Sequence, residues 1–183
     1  MVKPVIDIKR ERLLCESRFL ALKEVDYADN EQEKTWSYVT RKKTSGVVTV
    51  IATKGYKFLF ISQKRVPVNK IVLGFPSGLI DEGETPKKAA GRELIEETGY
   101  FINKTISISP LLPKSAGLTD ESMYIVKCTV KEKHVAPTDP TEGITSFWMT
   151  ARAFIDYVNG LSKKTHAVEN HAWAYITGYL RDR

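Results

Sequence analysis

Between Thr85 and Gly99 the chain carries its own punctuation for one short helix. The Thr85 hydroxyl suits the amides of a first turn, Pro86 is pre-set for the first helical position, and Gly99 suits the left-handed residue that ends a helix. The spacing predicts a helix over Pro86 to Thr98, entered through the loop Gly78-Leu79-Ile80-Asp81-Glu82-Gly83-Glu84. On such a helix, turning ~100° per residue, Glu93, Glu96 and Glu97 fall within about a quarter to a third of the circumference. Like charges so close repel one another, and a stable fold keeps them together where a cation offsets the repulsion. Carboxylate oxygens in this number suit Mg²⁺ or Mn²⁺. Arg92 lies four residues before Glu96, within reach of the acidic arc, while Ala89 and Ala90 flank the arc and leave room for a ligand. A solvated acidic helix face is the competing reading, and on the helix alone it is the favoured one.

At 183 residues the chain has room for one α/β domain and a small N-terminal appendage. The net charge of +6 favours polyanionic ligands, but Lys and Arg are spread along the chain rather than blocked into an arm. That distribution suits a phosphate-rich small substrate and argues against nucleic acid as a partner. Cys15 and Cys128 are far apart and have no CxxC or Cys/His neighbourhood, so neither a zinc site nor a disulfide framework is expected. With no signal-peptide pattern and no apolar run of membrane-spanning length, the expected location is cytoplasmic, with no membrane partner.

Taken in order, residues from Leu13 to Tyr27 alternate apolar with polar, residues 28–33 read as a turn, and Lys34 to Arg41 reads as a returning strand. This predicts a small β-hairpin unit over residues 1–43, in need of a surface to lie on, ahead of a domain over 44–183. Further strands are expected at Gly46 to Ala52, Lys57 to Gln63, Ile71 to Phe75, Ile102 to Ser109, Met123 to Lys131 and Ile144 to Met149. The stretch from Pro110 to Glu121 is too polar and broken for regular structure, and a loop of that length commonly carries function. Helices are expected over Ala151 to Val158 and His166 to Leu180. Together these predict an α/β or α+β architecture. His134, His166 and His171 fall outside every motif and are expected on the surface or on helix faces.

Gly78, Glu84, Arg92, Glu93, Glu96, Glu97 and Gly99, with Leu94 and Tyr100 at the bulky apolar positions, match the signature Gx5Ex7REUxEExGU. On these residues the chain resembles the Nudix hydrolases, and the match outweighs the reading of a merely solvated acidic face. The likeness extends to Thr35-Trp36-Ser37-Tyr38-Val39-Thr40-Arg41, Gln63-Lys64-Arg65-Val66-Pro67, Gly74-Phe75-Pro76-Ser77-Gly78-Leu79 and Ser115-Ala116-Gly117-Leu118-Thr119-Asp120-Glu121, which look like ADP-ribose (ADP-sugar) pyrophosphatases. The resemblance implies a Nudix α/β/α sandwich with a mixed sheet, preceded by a small N-terminal β unit exchanged in a homodimer. The implied reaction is Mg²⁺-dependent hydrolysis of ADP-ribose, or a related ADP-sugar, to AMP and a sugar phosphate.

Carried over by position, Glu93 and Glu97 match metal ligands, Ser77 matches a residue whose backbone carbonyl binds metal, and Glu96 is a further ligand or supporting group. Arg92 and Glu84 would orient this cluster. Glu121 sits where some relatives place a glutamate acting as base or positioning water. Trp36 and Phe19 match rings that stack on adenine from two subunits, Arg41 and Arg65 match phosphate-contacting arginines, and Leu79 is a further substrate-contact candidate. Gly74 departs from the pattern, standing where many relatives have Glu, which puts the sugar preference in question. GDP-mannose, NADH and oxidised nucleotides are rival substrates. A binding module that senses ADP-ribose without cleaving it is the rival class, opposed by the retention of all three helix glutamates.

Overall fold

The computed structural model describes residues 6–29, 32–131, 135 and 143–182. Asn30 and Glu31 of the expected N-terminal turn, and His134, lie outside the described residues. Strands β1 (Asp7–Glu16), β2 (Leu20–Asp29) and β3 (Gln32–Arg41) form a separate antiparallel sheet in that order. The single strand expected over Leu13 to Tyr27 is therefore two. Ser17 breaks it: its hydroxyl accepts from the amides of Phe19 and Leu20, at 3.4 and 3.1 Å, and its own amide donates to the Leu20 carbonyl at 2.8 Å. A serine turn of this kind leaves no Gly, Pro or Asn in the sequence to mark it, so the alternation reads straight through.

The larger sheet contains β4 (Gly46–Lys54), β5 (Lys57–Arg65), β6 (Lys70–Gly74), β7 (Ser77–Ile80), β8 (Ile102–Ile108), β9 (Leu112–Pro113), β10 (Ser122–Val130), β11 (Thr145–Thr150) and β12 (His166–Val168). Its main path runs β12-β6-β5-β4-β10-β8, with β11 on β5, β7 on β4 and β9 on β10. The pairs β10–β4 and β12–β6 are parallel and the others antiparallel, so the sheet is mixed.

Among the described residues three α-helices cover it: α1 (Pro86–Thr98), α2 (Ala151–Gly160) and α3 (Asn170–Arg181). The α1 ends are those that Thr85 and Gly99 announce. Thr85 accepts from the Lys88 amide, and Gly99 is left-handed at φ 71° with its amide on the Ile95 carbonyl. The helix expected from His166 begins only at Asn170. Residues 166–168 add to the sheet instead, because Ile71 N–H donates to Thr165 O and Glu169 N–H to Leu73 O, completing a parallel ladder beside β6.

Alternation along β4 sorts the core into two layers. Val48, Val50 and Ala52 pack with Ala89, Ala90 and Leu94 of α1, whereas Ile51 packs with Phe58, Phe60, Phe75, Phe154 of α2 and Ile176 of α3. Stacked rings knit the second layer, with centroids 4.2 Å apart for Phe60–Phe154 and 5.1 Å for Phe60–Phe75. With one helix on one face and two on the other, the expected α/β/α sandwich is what forms. Burying Leu94 completely stabilises α1 on the sheet by about 1.5–3 kcal/mol, which more than offsets the weak repulsion among its glutamates.

One irregularity positions the site. Strand β4 pairs with β7 through Gly46–Thr49 and with β5 through Thr53–Lys54, so the two partners diverge midway along it. A cleft opens in that fork.

Candidate active site

The cleft has a volume of about 430 Å³, within the range of small-molecule sites. The α1 wall carries Glu93, Glu96 and Glu97, and β7 brings Ser77, Gly78 and Leu79 up to them. Glu97 is buried, and its Oε2 accepts from the Ser77 amide at 3.0 Å, which locks the helix to the strand. Gly78 is required by close approach, since a Cβ there would lie 2.0 Å from the Glu93 carboxyl carbon.

Arg92 ties this wall together. Its guanidinium donates to Glu84 at 2.9 Å, Glu93 at 2.7 Å, Glu96 at 3.1 Å and the Leu79 carbonyl at 2.8 Å. The hydrogen bond to Glu84 is the main cause that raises the Arg92 pKa, followed by burial working the other way and by Glu93. The same bond lowers the Glu84 pKa, opposed by burial and helped by the Asp81 amide.

Opposite this wall, Arg41 from β3, Lys114 and Glu121 from the long loop, and Arg65 from β5 line the cleft. Glu121 accepts from Arg41 Nε at 2.6 Å and pairs with Lys114 at 3.2 Å. Burial pushes the Glu121 carboxyl up, but Arg41 and Lys114 outweigh it and hold the group below the usual carboxylate range. The loop is stitched to β3 by Val39 N–H on Leu118 O at 2.9 Å and by Thr40 on Asp120 at 2.8 Å.

The structure thus gathers Arg41, Arg65, Ser77, Leu79, Arg92, Glu93, Glu96, Glu97 and Glu121 around one cleft. It does not bring Trp36 or Phe19 there. Trp36 stands on β3 and Phe19 in the turn between β1 and β2, 50% and 61% exposed, with the Arg18 guanidinium 4.9 Å over the Phe19 ring. Neither is a core residue.

Among the cleft-lining residues absent from the sequence-based candidates are Lys114, Thr49, Glu169 and His171. His171, expected on the surface or a helix face, is turned inward beside Glu169. The reason is the β12 ladder, which sets the start of α3 against the end of β6. The departure at Gly74 is the signal the sequence offers: a Cβ at that position would lie 2.1 Å from Glu169 Oε2.

Whether a divalent ion suits the α1 wall turns on its donors. Among the described residues no three His, Cys, Asp or Glu side chains form a ready ion-binding group. Arg92 and the Ser77 amide instead engage the α1 carboxylates. The wall still fits a hard cation, because it offers oxygen ligands only and the Gly78 cradle lets Glu93 lie against β7. An ion there would draw on Glu93 and Glu97 and complete its shell with backbone carbonyl, substrate and water oxygens.

A profile of the NUDIX domain matches residues 40–168. The chain belongs to the Nudix hydrolase family. Among Nudix relatives, the chain is 34% identical to putative nudix hydrolase 2 of Caenorhabditis elegans, over 78% of this chain and 63% of that protein. It is 29% identical to an ADP-ribose pyrophosphatase of Saccharomyces cerevisiae, over 96% and 83% of the two chains. It is 32% identical to an ADP-sugar pyrophosphatase of Mus musculus, over 67% and 61%. The matches therefore span less than two thirds of the worm and mouse proteins. The Nudix fold also superposes on a crystal structure of an ADP compounds hydrolase with a TM-score of 0.76 at 19% identity, covering 100% of this chain and 95% of that one. Among the described residues no helix is long and apolar enough to cross a membrane.

Proposed function

We propose that the protein hydrolyses the pyrophosphate bond of ADP-ribose, or of a related ADP-sugar, to AMP and a sugar phosphate with Mg²⁺ as cofactor. The observation that carries this reading is a single cleft with carboxylates on one wall and arginines from separate elements around it. The rigid forks of Arg41 and Arg65 suit a diphosphate. Glu93, Glu97 and the Ser77 carbonyl would hold the ion, with Glu96 as a further ligand or support. The bound metal supplies charge neutralisation at the diphosphate and lowers the pKa of an attacking water.

Arg92 keeps Glu84, Glu93 and Glu96 aimed, since it bonds each of them. Glu121 is spoken for by Arg41 and Lys114, and its lowered pKa makes it a weak proton acceptor. Its role in this reading is to hold Arg41 at the diphosphate.

Adenine would stack between Trp36 and Phe19 in a homodimer built through the N-terminal sheet. Ile8, Leu13, Leu14 and Trp36 on that sheet, with Phe19 in its β1–β2 turn, are each about half exposed, an apolar surface that a second copy would cover. Names of relatives that act on ADP-ribose or ADP-sugars support the same substrate class.

The test is a Mg²⁺-dependent hydrolysis panel of ADP-ribose, ADP-glucose, GDP-mannose, NADH and 8-oxo-dGTP, with products identified by mass. Preference for ADP-ribose, giving AMP and ribose 5-phosphate, is the expected result. Preference for another member overturns the substrate, and binding of ADP-ribose without turnover overturns catalysis in favour of a sensing module.

A further inference from the structure

The cleft also holds three polar atoms that the proposed chemistry does not use. Glu169 Oε2 and His171 Nε2 lie 2.9 Å apart, yet both are shut off from solvent and neither has a hydrogen-bond partner of proper geometry among the described residues. Thr49 Oγ1, on a residue only 1% exposed, is in the same condition. All three side chains line the one cleft. Buried polar groups left unmatched are costly, and such a cluster in a native fold calls for a partner that arrives from outside.

The position of Glu169 is built, not incidental. Its amide donates to Leu73 O at 2.9 Å, and its carboxylate occupies the space that any side chain at residue 74 would fill. The chemistry of the partner follows from the atoms. A carboxylate repels a phosphoryl group and accepts from a neutral donor, an imidazole nitrogen accepts or donates, and a threonine hydroxyl does both. Those requirements describe a hydroxyl-bearing group rather than the diphosphate.

The sheet order says which hydroxyls. Glu169 and His171 follow β12 at one edge of the main path, whereas Lys114 follows β9, which pairs with β10 toward the other edge, and Arg41 comes from β3 of the N-terminal sheet. A substrate whose nucleoside lies toward β3 and whose diphosphate meets α1 extends its far end toward β12.

We propose that Thr49, Glu169 and His171 form a hydroxyl-recognising subsite for the sugar on the distal phosphate, and so decide which nucleoside diphosphate derivative is accepted. This rests on the proposed function above. It also assigns Gly74 a purpose, which is to leave room for a carboxylate delivered from the start of α3.

The test compares kcat/KM of the wild type, Glu169→Gln and Thr49→Val on three substrates. These are ADP-ribose, the β-methyl ester of ADP, which lacks the distal hydroxyls, and an ADP-ribose analogue whose adenosine ribose is 2′,3′-dideoxy. Glu169→Gln is expected to lose about 10- to 100-fold more on ADP-ribose than on the methyl ester. The loss should persist on the dideoxy analogue. A loss that vanishes on the dideoxy analogue overturns the distal assignment and moves the subsite to the nucleoside ribose. Equal losses on all three substrates overturn hydroxyl recognition, leaving Glu169 a structural group. If Glu169→Gln does not fold, Thr49→Val is read by the same ratio, being close in volume. Wild-type protein that turns over none of the three refutes the proposed function itself, and the subsite falls with it.

Discussion

The α1 wall of the cleft comes from one run of chain, Ser77 to Glu97, whose residues hold one another: Arg92 bonds Glu84, Glu93, Glu96 and the Leu79 carbonyl, and Glu97 bonds the Ser77 amide. The surrounding walls are assembled from β3, β4, β5, the loop after β8 and the start of α3, and their polar groups are matched less completely. A short self-supporting segment can present the same carboxylates whatever surrounds it, so it suits the chemistry common to a family. Walls collected from distant segments can change one at a time, so they suit the choice of substrate.

The sharpest way to break this contrast is Glu97→Gln. It removes a charge from the α1 wall with little change in volume, and the amide oxygen can still accept from Ser77 N–H, so circular dichroism should be unchanged. Turnover should fall by about 10²–10³-fold, as on losing a principal electrostatic contact in a site. Undiminished kcat would show that this wall does not hold the metal.

Next comes Arg92→Gln, which leaves Glu84, Glu93 and Glu96 without their shared cation. A loss of roughly 10- to 100-fold in kcat is expected, typical of groups that orient ligands. The melting temperature should drop without divalent ion and recover in part when Mg²⁺ is added. Equal melting in both conditions would mean that the ion does not bind among these carboxylates.

Trp36→Ala moves to the distant elements. If stacking on the base is its role, KM for ADP-ribose should rise about tenfold, with kcat changed less, as for loss of binding common to ground and transition states. A normal KM would remove Trp36 from the base site. Light scattering on the wild type and on Leu13→Glu should show a dimer and its dissociation respectively; a monomeric wild type would count against base binding shared by two copies.

The smallest effect concerns Glu84. Arg92 lowers its folded-state pKa, so the pair contributes stability fully above the unfolded value of 4.5 and loses it as pH falls through the lowered folded value. The difference in melting temperature between wild type and Glu84→Gln should therefore be largest near neutral pH and shrink below about pH 4.5. A difference that is constant with pH would mean that the pair contributes no charge-dependent stability.

The contrast between the walls is also a contrast in what the sequence makes legible. Thr85, Pro86 and Gly99 mark the ends of α1 because caps act within a few residues, and Glu93, Glu96 and Glu97 share one face because helical geometry is periodic. Strand β4 is legible from its apolar run. The Ser17 turn is not, since a serine hydroxyl bonding backbone amides leaves the alternation of Leu13 to Tyr27 intact. Residues 166–168 read as helix because the period of Ala172, Tyr175, Ile176 and Tyr179 runs just after them, and only pairing with β6 makes them a strand.

By itself the sequence determined the helix, its acidic face, the arginine beside it and the family to which they belong, because each depends on residues a few positions apart. Only the tertiary structure decided that β5 and β7 part company along β4 to open a cleft. It alone brings Arg41 and Glu121 together across 80 positions, and it sets Glu169 over Gly74 with His171 beside it. Those placements come from strand pairing between segments remote in the chain, and no local pattern records which strands will pair.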